Sequence, residues 1–408
     1  MFGYVTGILV ALATVFCLYA GLELAAGNSL FEQERLSGVS TTSLLKTAKD
    51  RNSEDRIDAI VQLGKRPKDI ESTFDTLAEL TIDHNELIRF SAEASLNEIG
   101  APATKFIRPL FDEKTTDGYK KGCSAIRSVG ESCKIYMPEI KMLLKSDVAM
   151  ERLSGVYALR GLGDSSEEAI EEIIDCIDDE KFNIQLMACR VLESLGPKAA
   201  PAKEALLKAL EDGVPSIRGY AAICLASMDP SPDDSKVIEL IAKKMQLDVR
   251  EPLNPVEHQR YLNALGRFGP KAKMHLDKIR EKLKHRDKFI QLHSAFALYK
   301  ITGKADDSMD VFKNLIEQET YAPDALELVG QMGDKALPFV PSVMNCLDSD
   351  QPGSREMALT ALANIGPKAN AAIGKVEELL EDEDALVRIA ARETLKILKS
   401  NLEKEKKK

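Results

Sequence analysis

A glycine-marked beat of about 33 residues constrains this chain more than any other feature. Taking the residue that closes each unit, the beat falls at Gly64, Gly100, Gly130, Gly163, Gly196, Asp229, Gly269, Thr302 (or Gly303), Gly333, Gly366 and Lys399. The intervals are 36, 30, 33, 33, 33, 40, 33, 31, 33 and 33 residues. Other positions keep the same time. Eight residues before each end stands Gly, Ala or Ser, except at Arg56 and Tyr261. Eleven before, Arg recurs as Arg89, Arg152, Arg218, Arg355 and Arg388, and Gln as Gln185 and Gln291. The triplet Gly-Pro-Lys followed by Ala opens three units, at Gly196, Gly269 and Gly366. Coincident positions at one period are the signature of stacked repeats.

The segment 366–399 shows what one unit is. Gly366 ends the preceding helix and Pro367 cannot continue it. A first helix, A, stripes Ile373, Val376, Leu379 and Leu380 on one face. Asp382, Glu383 and Asp384 break the pattern and suit the positive end of the next helix, with Asp384 as its cap. That second helix, B, stripes Val387, Ala391, Leu395 and Leu398. Two such helices cannot bury their apolar faces alone, whereas stacked copies share a continuous core. The small residue at the eighth position is expected where two helices approach closely.

These stretches resemble the HEAT-repeat family, in particular the short bacterial HEAT-like repeats of phycobilisome-lyase type. The residues that carry the resemblance are DEDALVRIAARETLKIL from Asp382, DGVPSIRGYAAICLASM from Asp212 and the Gly-Pro-Lys-Ala turns, and the likeness spans most of the chain. It implies an all-α fold: a right-handed α-solenoid, an armadillo-type superhelix, of about eleven helix pairs over residues 40–400. It also implies that the recurrent Arg forms a ladder between successive repeats. Each of those arginines follows an Asp by four to six residues (Asp83, Asp147, Asp212, Asp350, Asp384). A guanidinium there can satisfy turn carbonyls or a neighbouring carboxylate. The resemblance is specific for fold and weak for function.

Composition narrows the functional classes. The chain of 408 residues has a net charge of −10, no Trp and 5% aromatic residues, which argues against a dedicated nucleic-acid binder. None of the seven cysteines (Cys17, Cys123, Cys133, Cys176, Cys189, Cys224, Cys346) forms a C-x-x-C pair, so they read as small packing residues. Cys123 and Cys133 could bridge in an exported chain. The five histidines include no i,i+4 pair and no His-Glu step, and the chain has no GxGxxG, P-loop or GxSxG motif. No catalytic residue, metal ligand or cofactor is therefore expected, and the chain reads as a non-enzyme.

Residues 2–22 carry no charge and are long enough to span a bilayer. The expectation is an N-terminal hydrophobic helix within residues 1–27, acting as a transmembrane anchor or, if cleaved, a signal peptide. Either would put the repeats outside the cytoplasm, membrane-anchored or else secreted or periplasmic. A linker at 28–39 precedes the array, whose first helix has Thr41 or Thr42 available as cap, and residues 401–408 form a basic tail.

Two neighbouring stretches break the beat. The interval ending at Gly269 is seven residues long in excess, and the excess forms a loop, QLDVREPLNP, at 246–255. The next unit, 267–288, carries nine Lys and Arg against three Asp and Glu. Together they supply a candidate binding patch: Arg250, Arg267, Lys271, Lys278, Lys282 and Lys284. Charge runs also occur simply as solvated faces. A second candidate surface is the concave face, toward which helix-B residues three before the end should lean: Asn97, Arg127, Arg160, Glu193 and Lys396. Their mixed chemistry suits a protein partner better than a polymer of regular charge. The sequence thus points to a scaffold for protein–protein interaction at or outside a membrane. Two alternatives stay open: an accessory, lyase-like subunit of a protein-modifying enzyme, and a binder of an anionic ligand through 246–288.

Overall fold

A computed structural model describes residues 36–228, 234–246 and 255–405. The proposed anchor or signal at 1–27, most of the linker, the centre of the inserted loop with Arg250, and the last three lysines lie outside the described residues. No described helix is long and apolar enough to cross a membrane. All described elements are helical, and they alternate as the repeat requires. The chain forms two compact units, one of residues up to Gly213 with 227–229, the other of Val214–Ala226 with residues from Pro230 onward.

Unit 1 begins with α1 (Thr41–Lys49) and α2 (Arg56–Gly64). Four further A/B pairs follow: α3 (Ile70–Leu80) with α4 (Glu86–Ile99), α5 (Arg108–Asp112) with α6 (Thr116–Val129), α7 (Met137–Leu144) with α8 (Ala149–Leu162), and α9 (Ile170–Ile177) with α10 (Phe182–Leu195). The lone helix α11 (Lys203–Asp212) ends it. Unit 2 opens with α12 (Pro215–Ser227). Its pairs are α13 (Asp234–Gln246) with α14 (Pro255–Phe268), α15 (Leu276–Lys282) with α16 (Lys288–Thr302), α17 (Met309–Ile316) with α18 (Ala322–Gly330), α19 (Val340–Asn345) with α20 (Pro352–Ile365), and α21 (Ile373–Glu378) with α22 (Ala385–Glu405). The last helix continues past Lys399, where the beat placed its end.

The predicted punctuation explains the boundaries. Gly100, Gly130 and Gly366 close their helices with φ of 65°, 86° and 90° and ψ beyond −138°, a region that is essentially reserved for glycine. Gly64 works differently. It lies inside the last turn of α2, where an added Cβ would come 2.7 Å from the Cβ of Ser95 on α4, so it serves close packing and not a turn. The small eighth position has the same logic. A Cβ on Gly122 would meet the Phe111 ring at 2.8 Å, and one on Gly155 would meet Leu144 at 3.1 Å. Here α6 and α8 thus lie directly on their own A helices, α5 and α7. Asp384 caps α22 by accepting from the Leu386 N–H at 2.8 Å. At the other end, Ser40 caps α1, and the expected cap Thr41 instead donates to Asp69.

One element was not foreseen. Between most B helices and the next A helix runs a 3₁₀ segment, as at Glu131–Tyr136, Gly196–Ala202, Gly333–Phe339 and Pro367–Ala372. A 3₁₀ turn eclipses residues i and i+3. The pairs Cys133/Tyr136, Ala199/Ala202, Ala336/Phe339 and Ala369/Ala372 are accordingly buried together. The A helices are shorter than the apolar stripe suggests, because its first turns are wound at three residues per turn.

The arginine ladder is present. Arg152 donates to the Ser146 carbonyl at 2.8 Å and, through Nε, to Asp179 at 2.6 Å. Arg355 repeats this with the Ser349 carbonyl and a two-pronged contact to Asp382 at 2.9 and 2.7 Å. Each guanidinium ties its own A–B turn to the carboxylate of the next. Arg56, which occupies a small-residue position, joins the same ladder by donating to Ala48 O and to Asp83. Burial alone would raise the Asp179 and Asp382 carboxyls, but Arg152 and Arg355 outweigh it and hold both below the usual range. Buried hydroxyls add ties between successive B helices: Ser95 donates to Ile60 O at 2.9 Å and Thr394 to Leu359 O at 3.0 Å. In unit 2, Leu292 to Leu398 form one hydrophobic core across several repeats.

Candidate functional site

On α6, α8 and α10 the small residue faces the A helix, and the residues three and six before the end are left at least partly exposed. In unit 1 this row brings together three of the candidate concave-face residues, Arg127 on α6, Arg160 on α8 and Glu193 on α10, with Tyr157 and Arg190 beside them. Arg127 pairs with Glu93 of α4, and its guanidinium lies 5.9 Å from the Tyr157 ring centroid. The helices are in backbone contact here: a Cβ on Gly161 would fall 2.3 Å from Arg127 Cα. Arg160 reaches solvent and makes no side-chain hydrogen bond or ion pair among the described residues. Burial among neighbouring groups, then the charges of Arg190 and Arg127, pull its guanidinium below the usual arginine range, with Glu193 opposing weakly. Burial likewise raises the Glu93 carboxyl, against the pull of Arg127. Asn97 is exposed on α4 outside this group, and Lys396 is exposed on α22 in unit 2.

The corresponding face of unit 2 is divided. Burial, then Arg267, lowers the Lys300 ammonium on α16. Further along, burial raises the carboxyls of Asp324 and Glu327 on α18 and of Glu356 on α20. On α14, Asn263 and Gln259 bracket His293 of α16: the ring Nδ1 lies 3.1 Å from Asn263 Oδ1, and Gln259 meets Nε2. The only arrangement that satisfies both contacts is a neutral ring donating from Nδ1, in keeping with burial pushing His293 down to about 4.

The basic patch splits in two. Lys271 is engaged, with Asp234 at 2.9 Å, and Arg267 lies on the B-helix face near Lys300. Lys278, Lys282 and Lys284, on α15 and just after it, form no ion pair among the described residues, nor does Arg286. Met274, 71% exposed, stands beside them on the preceding turn. Arg250 lies outside the described residues.

Other candidates for chemistry are sealed. Cys123 and Cys133 are buried free thiols, as are Cys176, Cys189, Cys224 and Cys346. Burial pushes Cys176 up to about 12 and Cys123 higher. Among the described residues no group of three His, Cys, Asp or Glu side chains could hold a metal ion.

Reading only the residue three before each end missed Tyr157, Arg190, Lys300, Asp324, Glu327 and Glu356. The signal was available: a helical face repeats every three to four residues, and Tyr157, Arg190 and Glu327 stand six before the end, Asp324 nine and Glu356 ten, while Lys300 stands three before Gly303.

No family model and no curated protein sequence matches the chain. Solved structures do. Yeast importin-β (Kap95p) is similar over 94% of this chain and 59% of its own length, at 12% identity and a TM-score of 0.59. Both units have the HEAT-repeat fold. A Kap95–Nup1 complex matches 90% of this chain and 58% of its own, at 12% identity and TM-score 0.56. The CpcE–CpcF complex of phycocyanin lyase from Nostoc matches 64% of this chain and 94% of its own, at 20% identity and TM-score 0.44. This chain thus spans little more than half the length of the importin-β it resembles.

Proposed function

We propose that this protein is a non-enzymatic HEAT-repeat scaffold that binds protein through the exposed faces of its B helices. The observation that carries the reading is the set of charged groups on those faces, Glu93, Arg160, Lys300, Asp324, Glu327 and Glu356, all of them outside the packed core. Charges of both signs held on rigid helices discriminate among protein surfaces, since a partner must supply matching groups at fixed spacing. Placement of the repeats at or outside a membrane rests on the uncharged segment 2–22 alone. Capture from detergent-solubilised host cells with chemical crosslinking tests the scaffold: stable protein partners are expected, and recovery of none contradicts it.

A second surface is favoured by the unpaired Lys278, Lys282, Lys284 and Arg286 beside the exposed Met274. A cluster of cations next to an exposed apolar side chain suits an anionic surface. Changing Lys278, Lys282 and Lys284 to Glu should abolish salt-sensitive sedimentation with phosphatidylserine vesicles; unchanged sedimentation removes this reading.

A further inference from the structure

Three arginines converge on the B-helix face of unit 1, and their charges are not equally answered. Arg127 is matched by Glu93. Arg190 has Glu193 one turn further along the same face of α10. Arg160 stands between Arg127 and Arg190, has no acceptor of its own among the described residues, and is shifted first by burial and then by those two like charges. Like charges gathered on one face repel, and an anion set among them relieves that repulsion. The close backbone contact at Gly161 sets α6 directly against α8, which keeps the Arg127 and Arg160 backbones close together.

We propose that this face takes an acidic segment of a protein partner, with a carboxylate of that segment received by Arg160 between Arg127 and Arg190. This rests on the scaffold reading and names the chemistry of what the scaffold binds. Charge selects the occupant. Glu93 and Glu193 flank the arginines, so the face alternates charges of both signs and is not an unbroken basic track. A carboxylate side chain brings one negative charge and matches the guanidinium fork in two parallel hydrogen bonds. A continuous phosphate backbone would run into the flanking glutamates, in a protein whose net charge is already −10. Tyr157, 38% exposed, supplies an aromatic surface beside the fork for the aliphatic part of the segment.

Fluorescence anisotropy with a fluorescein-labelled peptide alternating Glu and Ser tests the proposal on the full chain. Arg160→Glu should weaken binding by at least about tenfold, which corresponds to about 1.4 kcal/mol. Arg160→Gln, a milder change at this exposed position, should weaken it less, and thermal melts of both variants verify folding. The triple change of Lys278, Lys282 and Lys284 to Glu should leave most of the affinity. Equal peptide affinity in wild type and Arg160→Glu overturns the proposal. So does loss of binding in the triple variant alone, which would assign the peptide to the other patch. Either result leaves the scaffold standing if crosslinked partners are still captured, whereas capture of none contradicts the scaffold itself.

Discussion

The repeats around α8–α10 and those around α12–α16 solve the same packing problem with different materials. In the first region the ladder rung joins consecutive A–B turns, Arg152 to Asp179, 27 positions on, and the small position is Gly155 or Ala188. In the second, Arg218 reaches Glu257, 39 positions on and inside α14, at 2.7 Å and 3.3 Å. Glu257 is 1% exposed and also accepts from the Tyr261 hydroxyl at 2.7 Å. Tyr261 is the residue that breaks the small-position rule, and its hydroxyl is satisfied by the displaced rung. The buried His258, His275 and His293 cluster in this same stretch. Where the beat is kept, the buried charges are those of the ladder and the turns, as in Arg152–Asp179 and Arg355–Asp382; beside the seven-residue insertion, Glu257, His258, His275 and His293 are buried as well. At Arg218 the rung is taken by a carboxylate of the helix itself, Glu257, which is buried.

This difference predicts unequal sensitivity. Glu257→Gln removes the buried charge that meets Arg218, whose side chain is 21% exposed, and should cost about 3 kcal/mol. Asp179→Asn should cost less, about 1 kcal/mol, because Arg152 keeps the Ser146 carbonyl and has Glu180 at 3.7 Å in reserve. Hydrogen exchange of α14–α16 in the first variant and α8–α10 in the second measures each region separately. Equal losses would erase the distinction between the two rungs.

Acid should divide the regions as well. His293 is held neutral with a folded value of about 4, below its unfolded value, so the folded protein binds fewer protons. Its contribution is complete above roughly pH 6.5 and is lost as pH falls toward 4, about 2 kcal/mol of it by pH 5. Asp324, Glu327 and Glu356 act with the opposite sign: with raised values they disfavour folding at neutral pH and cease to do so as pH falls through those values. Comparing wild type with His293→Asn isolates the histidine. Protection of α14–α16 should drop between pH 7 and pH 5 in the wild type and change less in the variant. A drop of the same size in both would assign the acid sensitivity elsewhere. The ladder carboxylates Asp179 and Asp382, held low, should contribute later, below about pH 4.

The repeat and its ladder were legible in the sequence because each needs one residue type at one place: glycine where φ and ψ leave no alternative, a small residue where a helix lies on its partner, Arg where a turn carbonyl must be met. The 3₁₀ segments were hidden because Ala199 and Ala202, or Ala369 and Ala372, fit a helical stripe as well as a three-residue one. Gly64 looked like a turn and proved to be a contact with Ser95. The B-helix face was legible only in part. Arg127 and Arg160 were found by position, but their charge balance depends on Glu93 and Arg190 of other helices, and a residue's neighbours across a stack are set by register. The displaced rung was invisible, since nothing in the spacing of Arg218 points 39 positions ahead.

The account stands or falls on which surface meets a partner. Crosslinks from the intact protein to its captured partners, mapped by mass spectrometry, measure this directly. They should concentrate on residues at the exposed B-helix faces, including those of α6, α8 and α10 beside Arg160. Crosslinks confined to the A helices and the turns that precede them would contradict it.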